Sequence, residues 1–230
     1  MREGKIMKQI EVMKDLLADN KKLAKANRER LNSKVIFTIN LLGSPGAGKT
    51  TLLERIIRQL KDEIQIAVIE GDLYTANDAE RIEKEGVDVI QLNTKGICHL
   101  EANMIREAVA KLNLNKVDLL VIENVGNLVC TASYQLGEDI KITVLSVTEG
   151  SDKPIKYPLI FQNSEVVILN KLDLLKHTDF SMVKFNRDIK ALREDIKVFE
   201  VSCTINQGIG ELIDYLKQQV AERKFSNEPN

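Results

Sequence analysis

Apolar residues follow two different spacings along this chain of 230 residues. From Lys5 to about Leu31 they recur at every third or fourth position between charged residues, which predicts an amphipathic helix. Downstream, short runs rich in Val and Ile predict buried strands, and segments with helical spacing lie between them. The predicted strands are Val35–Leu42, Ile64–Glu70, Val87–Leu92, Leu119–Glu123, Ile142–Val147, Val166–Asn170 and Val198–Val201.

Strands and helices alternate after the first helix, and this order predicts an α/β fold with a mostly parallel sheet covered by helices on both faces. We expect an N-terminal helical extension, residues 1–32, followed by one domain, residues 33–230. In sheets of this kind, ligands bind at the carboxyl ends of the strands. The predicted helices of the domain are Lys49–Leu60, Asp78–Glu85, Glu101–Leu112, Phe180–Glu194 and Ile209–Arg223.

Composition and charge narrow the possible functions. The net charge of −1 lacks the basic surplus of a general nucleic-acid binder, so no nucleic-acid partner is expected. No apolar run approaches the roughly 18 residues of a membrane span, and the charged first thirty residues do not form a secretory signal. A cytoplasmic protein without a membrane partner is therefore expected. The odd number of cysteines, three, argues against a disulfide framework.

One run has the spacing of a phosphate-binding loop: Gly43-Ser44-Pro45-Gly46-Ala47-Gly48-Lys49-Thr50. It lies between a predicted strand and a predicted helix, where backbone N–H groups and the helix N-terminus bind phosphate oxygens. Lys49 is expected to reach the β- and γ-phosphates, and the Thr50 hydroxyl to bind Mg²⁺. Thr51 is included with the loop as a nucleotide-binding residue.

A second run, Asn170-Lys171-Leu172-Asp173, follows a predicted strand directly. The Asp173 carboxylate can accept hydrogen bonds from guanine N1–H and the N2 amine, donors that adenine lacks in this arrangement, so GTP is favoured over ATP. Lys171 can lie along the ring face, and Asn170 can brace the loop. Ser202-Cys203-Thr204 is expected to close the base pocket through backbone groups, although it departs from the usual Ser-Ala-Lys of GTPases.

Two acidic runs, Glu70-Gly71-Asp72 and Glu123-Asn124-Val125-Gly126, end predicted strands. Phosphoryl transfer needs a carboxylate near Mg²⁺ and a group that positions the attacking water. Asp72 is the first choice for either task, Glu123 is expected near Mg²⁺, and the Gly126 N–H is expected to contact the γ-phosphate. The alternative is that these carboxylates only cap the segments that follow.

Thiol and imidazole groups form a third candidate site. Cys98-His99 and Cys130 lie in the loops after the third and fourth predicted strands, which should emerge on one edge of the sheet, and these groups suit Zn²⁺, Ni²⁺ and Cu ions. Three ligands leave such a site incomplete, so a second chain or an exchangeable ligand is implied. The alternative is that the thiols are buried apolar groups. The side chains of Cys203 and His177 are interpreted as structural or surface groups.

Taken together, these runs resemble the HypB family of hydrogenase maturation GTPases, which are nickel-insertion accessory proteins. The resemblance covers roughly Val35 to the end, and Cys98-His99-Leu100 is among its most specific parts. The runs that carry it, in order, are Gly43–Thr50, Glu70–Asp72, Asp78–Ile82, Cys98–Leu100, Glu123–Cys130, Glu149–Pro154 and Asn170–Asp173.

The resemblance implies a phosphate-loop GTPase fold of the dimerising class, with GTP and GDP as ligands and GTP favouring the homodimer. It implies that Cys98, His99 and Cys130 bind Zn²⁺ or Ni²⁺ at the subunit interface. Hydrolysis would accompany nickel delivery to [NiFe]-hydrogenase, with a second accessory protein and the hydrogenase large subunit as partners. Lys153 resembles a family lysine that reaches nucleotide across the dimer, although an exposed lysine is the simpler interpretation.

Two departures from the family pattern change these expectations. Some members carry an N-terminal Cys-rich motif or a His-rich tract, whereas the first cysteine here is Cys98, so an N-terminal high-affinity site and metal storage are not expected. Thr131 follows Cys130 where Pro is usual, which is expected to loosen that loop.

Other functions remain open at this level. The urease nickel GTPase resembles this chain in its fold and in delivering nickel with a GTPase, but it places Pro between Cys and His. A cobalamin-enzyme chaperone GTPase is a further alternative, and it does not need the thiol pair. A regulatory GTP switch would use the cysteines only structurally. An ATP-dependent ligase is disfavoured by Asp173.

Overall fold

The computed structural model describes the backbone of residues 3–73 and 77–226, and the side chains of these residues from Leu16 onward. In this part of the chain, a parallel sheet has the strand order β3-β2-β4-β1-β5-β6-β7. The α/β prediction with a parallel sheet is confirmed. The strands are β1 Phe37–Gly43, β2 Ile66–Asp72, β3 Asp88–Asn93, β4 Leu119–Glu123, β5 Ile140–Ser146, β6 Val166–Asn170 and β7 Lys197–Glu200.

The long helices agree with the predicted ones, and three short helices, α5 to α7, are additional. A helix of four or five residues is too short to show an apolar period, so the sequence pattern does not predict it. The helices are α1 Glu3–Asn32, α2 Lys49–Leu60, α3 Asn77–Glu83, α4 Ala102–Val109, α5 Cys130–Ser133, α6 Lys153–Lys156, α7 Pro158–Gln162, α8 Met182–Leu192 and α9 Ile209–Phe225.

Both faces of the five inner strands are buried: successive side chains of a strand point to opposite faces, and helices cover each face. In β4, Leu119 and Val121 join the core under α2 and α9, while Leu120 and Ile122 join a second core with α4. Leu31 near the end of α1 belongs to the second core and is 1% exposed. No helix in the described ranges is long and apolar enough to cross a membrane.

The second half of α1 docks on the domain through two buried asparagines. Asn27 donates from Nδ2 to the carbonyl oxygens of Ala102 (2.8 Å) and Leu136 (2.9 Å). The side chain of Asn20 accepts from the Ala102 N–H and donates to a neighbouring loop carbonyl, both at 2.8 Å. The side chains of residues 3–15, which include the start of the predicted apolar stripe, lie outside the described part. The division of the chain at residue 32 stays a prediction.

The docking of α1 leads to a stability prediction. Asn27→Ala removes two buried hydrogen bonds, one to Ala102 and one to Leu136, so the free energy of unfolding should fall by about 1–3 kcal/mol. Denaturant titration measures this loss. Lys22→Ala is the control, because Lys22 is 78% exposed and its ion pair in the described part of the chain is with exposed Asp19 on the same helix, so its loss should stay within about 0.5 kcal/mol. Equal losses in the two variants would contradict the docking role of Asn27.

Candidate functional site

The predicted motifs meet at one edge of the sheet. The strands are parallel, so their carboxyl ends lie together, and the register pairs Glu123 of β4 with Glu70 on one side and Leu41 on the other. A cavity of about 430 Å³ opens at this edge. It is lined by parts of the predicted phosphate loop and of both acidic runs, by two residues of α3 and by Lys171: Pro45, Gly46, Gly48, Lys49, Thr50, Thr51, Glu70, Gly71, Asp72, Leu73, Asp78, Arg81, Glu123, Asn124, Val125, Gly126 and Lys171.

The phosphate loop turns sharply between β1 and α2. Gly46 (φ 77°) and Gly48 (φ 94°) adopt left-handed conformations that favour glycine. A Cβ on Gly48 would also lie 2.5 Å from Asn170 Nδ2, so a side chain is excluded there on two grounds. The loop then enters α2 at Lys49, which brings the N-terminus of that helix to the cavity.

The Asn170–Asp173 run braces this loop from β6. The Asn170 side chain donates to the Ala47 carbonyl oxygen (3.0 Å), and the Lys171 ammonium donates to the Gly46 carbonyl oxygen (2.7 Å). The bracing role expected for Asn170 therefore has a direct geometric basis. Lys171 takes part in the same bracing, which the sequence does not predict.

Two buried carboxyl groups lie side by side at the floor of the cavity. The Thr50 hydroxyl donates to Glu123 Oε1 (2.7 Å), while Glu123 Oε2 and Glu70 Oε2 are buried without a hydrogen-bond partner. Burial raises the pKa of Glu70 to about 8, with a further contribution from the neighbouring Glu123 carboxylate. Burial also raises the pKa of Glu123 to about 7, against the opposing effect of the Lys49 ammonium. Each carboxyl group thus carries a desolvation penalty that a nearby cation would relieve.

These groups fit Mg²⁺. The ion prefers oxygen ligands such as carboxylates and hydroxyls, and it keeps much of its coordination for water and substrate phosphates. The two orphaned carboxylate oxygens of Glu70 and Glu123 and the Thr50 hydroxyl are such ligands, and they line the cavity beside the phosphate loop. Asp72 lines the same cavity, and its Oδ1 accepts from the Leu73 N–H at 2.7 Å.

An arginine that the sequence does not predict ties α3 to α2 beside the cavity. Arg81 donates to both carboxylate oxygens of Glu54 (3.0 and 2.9 Å), to the Thr51 hydroxyl (3.0 Å) and to Asp78 (2.9 Å). The side-chain hydrogen bonds to Glu54 raise the pKa of Arg81, so it stays charged. The contact also engages Thr51, the loop residue included above with the nucleotide-binding set.

The residues of the predicted base pocket follow β6 and β7. The Ser202 hydroxyl donates to Asp173 Oδ1, and the Leu172 N–H donates to the Val201 carbonyl oxygen. Ser202 therefore acts through its side chain, which fixes the Asp173 carboxylate, in addition to the backbone role expected from the sequence. Cys203 is buried in the aliphatic core and its Sγ lies 3.6 Å from Asn170 Oδ1, in agreement with a structural thiol.

The structure brings Cys98, His99 and Cys130 together. One potential ligand atom from each lies within 4.8 Å of the other two, and Cys98 Sγ is 3.7 Å from His99 Nδ1. The His99 ring stacks on Tyr134, with ring centroids 3.8 Å apart. Burial lowers the pKa of His99, which favours the neutral imidazole that binds metals. The hydrogen bond with Cys98 and burial raise the pKa of the Cys130 thiol.

The Cys130 loop is held by Asn127. Asn127 Oδ1 accepts from the backbone N–H groups of Val129 (2.7 Å) and Cys130 (2.9 Å), and α5 begins at Cys130. The expected loosening by Thr131 is not observed, because Thr131 is fully buried and its hydroxyl donates to the Asn127 carbonyl oxygen (2.5 Å). The loop from Asn127 to Thr131 is thus held by hydrogen bonds from the side chains of its first and last residues to the backbone.

Two predicted residues lie apart from these groups. The Lys153 ammonium lies 5.2 Å from the centroid of the Tyr157 ring and is not part of the cavity lining, while His177 is exposed. Glu70 lines the cavity but is not predicted from the sequence, although it belongs to the Glu70-Gly71-Asp72 run. The position of Glu70 two residues before the predicted Asp72, at the end of a strand, is the signal that could have identified it.

Comparisons with known proteins agree with this geometry. Residues 37–200 match the model of the family described as CobW/HypB/UreG, nucleotide-binding domain. Hydrogenase maturation factor HypB of Escherichia coli strain K12 is 45% identical over 91% of this chain and 72% of its own length. The probable hydrogenase maturation factor HypB of Methanocaldococcus jannaschii is 39% identical over 94% of this chain and 97% of its own length.

A solved structure is similar as well. The crystal structure of HypB from Helicobacter pylori in complex with nickel superimposes with a TM-score of 0.84 at 38% identity, covering 89% of this chain and 96% of that one. The similarity extends over most of both chains and includes the nucleotide-binding domain. The chain therefore belongs to the HypB family of hydrogenase maturation factors, within the wider CobW/HypB/UreG group of nucleotide-binding domains.

Proposed function

We propose that this chain is a GTP-hydrolysing metallochaperone that assists nickel insertion into [NiFe]-hydrogenase. The observation that carries the proposal is the cluster of Cys98, His99 and Cys130, whose ligand atoms lie within 4.8 Å of one another. Cys130 is the last residue of the segment that begins at Glu123, and Glu123 lines the cavity beside the phosphate loop. A single short segment therefore connects the two sites. The solved relative from Helicobacter pylori is a complex with nickel, which supports nickel as the cargo.

The nucleotide would lie across the edge of the sheet. Lys49 is the cation for the β- and γ-phosphates, Asp173 accepts from guanine, and Gly126 places its N–H near the γ-phosphate. Gly126 packs against the phosphate loop so closely that a Cβ on it would lie 2.9 Å from Pro45 N. A movement of the phosphate loop on loss of the γ-phosphate would therefore also displace Gly126.

Mg²⁺ would be held by Thr50, Glu123 and Asp72, with Glu70 as a further buried carboxylate. When bound, the ion would neutralise the charge that develops on the phosphates during hydrolysis. Among the residues of the chain, Asp72 is the candidate that orients the attacking water. Glu123 also fixes the Thr50 hydroxyl at 2.7 Å, which preorganises the site.

GTP-dependent dimerisation at the metal site completes the proposal. Three protein ligands are one short of the four-coordinate site that Zn²⁺ prefers, and a second copy can supply more thiolate or imidazole. The residues directly before the two cysteines support an interface there, because Ile97 and Val129 are 41% and 62% exposed. Either Zn²⁺ or Ni²⁺ fits these ligands.

The remaining parts of the proposal rest on family membership. Lys153 would reach the nucleotide of the second copy, and the partners would be a second accessory protein and the hydrogenase large subunit. Location in the cytoplasm, without nucleic-acid or membrane partners, stays a prediction.

Nickel delivery to urease is a second candidate function. A relative from Helicobacter hepaticus that is 39% identical over 96% of this chain is named hydrogenase/urease maturation factor HypB. The nickel site and GTPase cycle proposed here would serve either enzyme, and pull-down of the two apoenzymes would separate the alternatives.

Guanine recognition can be tested with Asp173→Asn. The amide cannot accept from both guanine donors, so GTP affinity should fall by about 10- to 100-fold, while affinity for xanthosine triphosphate should rise because its C2 carbonyl accepts from the amide. Competition against a fluorescent nucleotide measures both. Asp179→Asn makes the same chemical change at an exposed position nearby and should leave both affinities unchanged. Unaltered GTP binding by Asp173→Asn would refute this assignment.

The metal ligands can be tested with Cys98→Ser and Cys130→Ser. A hydroxyl is a poor ligand for Ni²⁺ compared with a thiolate, so each variant should bind Ni²⁺ at least about tenfold more weakly. Anaerobic titration, followed by thiolate-to-nickel absorbance, gives affinity and stoichiometry. Cys203→Ser is the matched control and should retain the wild-type stoichiometry. If the double variant of Cys98 and Cys130 binds Ni²⁺ with unchanged stoichiometry, the site is elsewhere.

Replacing the buried carboxyl group of Glu70 is expected to raise stability and to lower activity. Its folded-state pKa of about 8 lies above its ordinary value of 4.5, so the folded state binds more protons between these values and the free energy of unfolding falls as pH rises through this window. Glu70→Gln removes the contribution of Glu70 and keeps that of Glu123, so the nucleotide-free variant should gain at least about 1 kcal/mol over wild type at pH 8 relative to pH 5.

The same substitution removes a carboxylate proposed to assist Mg²⁺, so GTP turnover should fall by at least about tenfold. Thermal unfolding at both pH values and phosphate-release assays measure the two effects. Glu63→Gln alters a surface carboxylate paired with Lys217 and should change neither by a comparable amount. Equal stability profiles for Glu70→Gln and wild type would contradict the raised pKa.

A further inference from the structure

Two asparagines of the Glu123–Cys130 segment connect the phosphate cavity with the two halves of the metal site. Asn124 lines the cavity and is 1% exposed. Its Oδ1 accepts from the backbone N–H of Leu100 (3.1 Å), which belongs to the peptide bond that His99 and Leu100 share, and from the Val125 N–H (2.9 Å). One side chain therefore fixes the His99 peptide and the backbone that leads to Gly126.

Leu100 has a second contact with the nucleotide side. Its side chain is fully buried against Gly71 of β2, where a Cβ would lie 2.8 Å from it. Gly71 separates the cavity carboxylates Glu70 and Asp72. The loop that carries Cys98 and His99 is thus fastened to the ends of both acidic strands through the residue next to His99.

Asn127 makes the corresponding connection for Cys130. Its backbone N–H donates to the carbonyl oxygen of Gly43, the first residue of the phosphate loop (3.0 Å). Its side chain accepts from the N–H of Cys130 at 2.9 Å. A movement of the phosphate loop relative to β4 would therefore reorient the Cys130 backbone.

The Asn124 amide is itself held in place by a buried polar chain. Its Nδ2 donates to Asn40 Oδ1 (3.2 Å), and Asn40 Nδ2 donates to Glu138 Oε1 (3.3 Å). Lys141 pairs with Glu138 (3.7 Å) and donates to the carbonyl oxygen of Ala132 in α5 (3.2 Å). Networks of this kind are rigid when every member is satisfied. This series of buried polar contacts therefore connects Asn124 to α5, the helix that begins at Cys130, by a second route.

We propose that Asn124 and Asn127 are positioning residues that transmit the state of the γ-phosphate to the metal site. The proposal rests on the proposed function and deepens it, because it names the side chains through which nucleotide would regulate metal affinity. Neither amide is a metal ligand in this scheme. Asn124 sets the position of the His99 peptide, Asn127 sets that of Cys130, and together they adjust the separation of the imidazole and the thiolates.

The test uses the full-length chain and Ni²⁺ as the probe. Dissociation constants for Ni²⁺ are measured with GDP and with a non-hydrolysable GTP analogue, for wild type, Asn124→Ala and Asn127→Ala. The ratio of the two constants should differ from one in wild type and move toward one in each variant, with the change of about 2- to 30-fold that is typical of residues on a coupling path. Affinities for both nucleotides are measured in parallel.

Asn27→Ala is the control, because Asn27 is equally buried and binds two backbone carbonyls but contacts neither the cavity nor the ligands. It should lower stability and leave the nickel ratio at the wild-type value. A merely structural role for Asn124 and Asn127 would give all three variants the same ratio, which would overturn the proposal. Asn127→Ala keeps the test decisive if Asn124→Ala does not fold, since Asn127 is only half-buried.

Hydrogen exchange of the Leu100 amide in wild type is an independent measurement. Its protection should differ between the GDP and GTP-analogue states, and equal protection would overturn the role of Asn124. Failure of the proposed function and failure of the role of the asparagines give different results. Wild-type protein that binds no Ni²⁺ through its cysteines refutes the proposed function, whereas nucleotide-dependent binding that survives both substitutions refutes only the role of the asparagines.

Discussion

The parallel register of β2, β4 and β1 is the constraint on which the site depends. It sets Glu70 beside Glu123 and starts the phosphate loop two residues beyond Leu41, the partner of Glu123 in β1. Buried carboxyl groups in adjacent strands are costly, and the raised pKa values of Glu70 and Glu123 express that cost. The sheet is stable with these groups because aliphatic side chains fill both of its faces, so the core supports a local arrangement that only a cation would fully satisfy.

Much of this arrangement could be predicted from the sequence. The phosphate loop and Asn170–Asp173 are local in sequence, and their chemistry requires particular residues at fixed spacing. The strands follow from short Val- and Ile-rich runs. The short helices α5 to α7 could not be predicted, because so few residues show no period. The role of Glu70 depends on which strand lies next to β2, and sequence alone does not give strand order.

The metal-bearing loops illustrate the same limit in another way. The residue types of Cys98, His99 and Cys130 identify the chemistry, but their convergence depends on side chains that look unremarkable in sequence. Asn127 acts through backbone N–H groups near it, whereas Asn124 acts on a peptide bond 24 residues away along the chain. An asparagine in a loop is usually a turn former, so its role as a long-range brace becomes visible only with coordinates.

The docking of α1 has a mechanical consequence. Asn20 and Asn27 lie seven residues apart on α1, which is about two turns and about 10 Å along the helix axis. The side chains of Asn20 and Asn27 bind the backbone of Ala102 and of the loop that follows α5. Bonds at two levels of the helix would therefore hold α1 against sliding along its axis as well as against rotation about it.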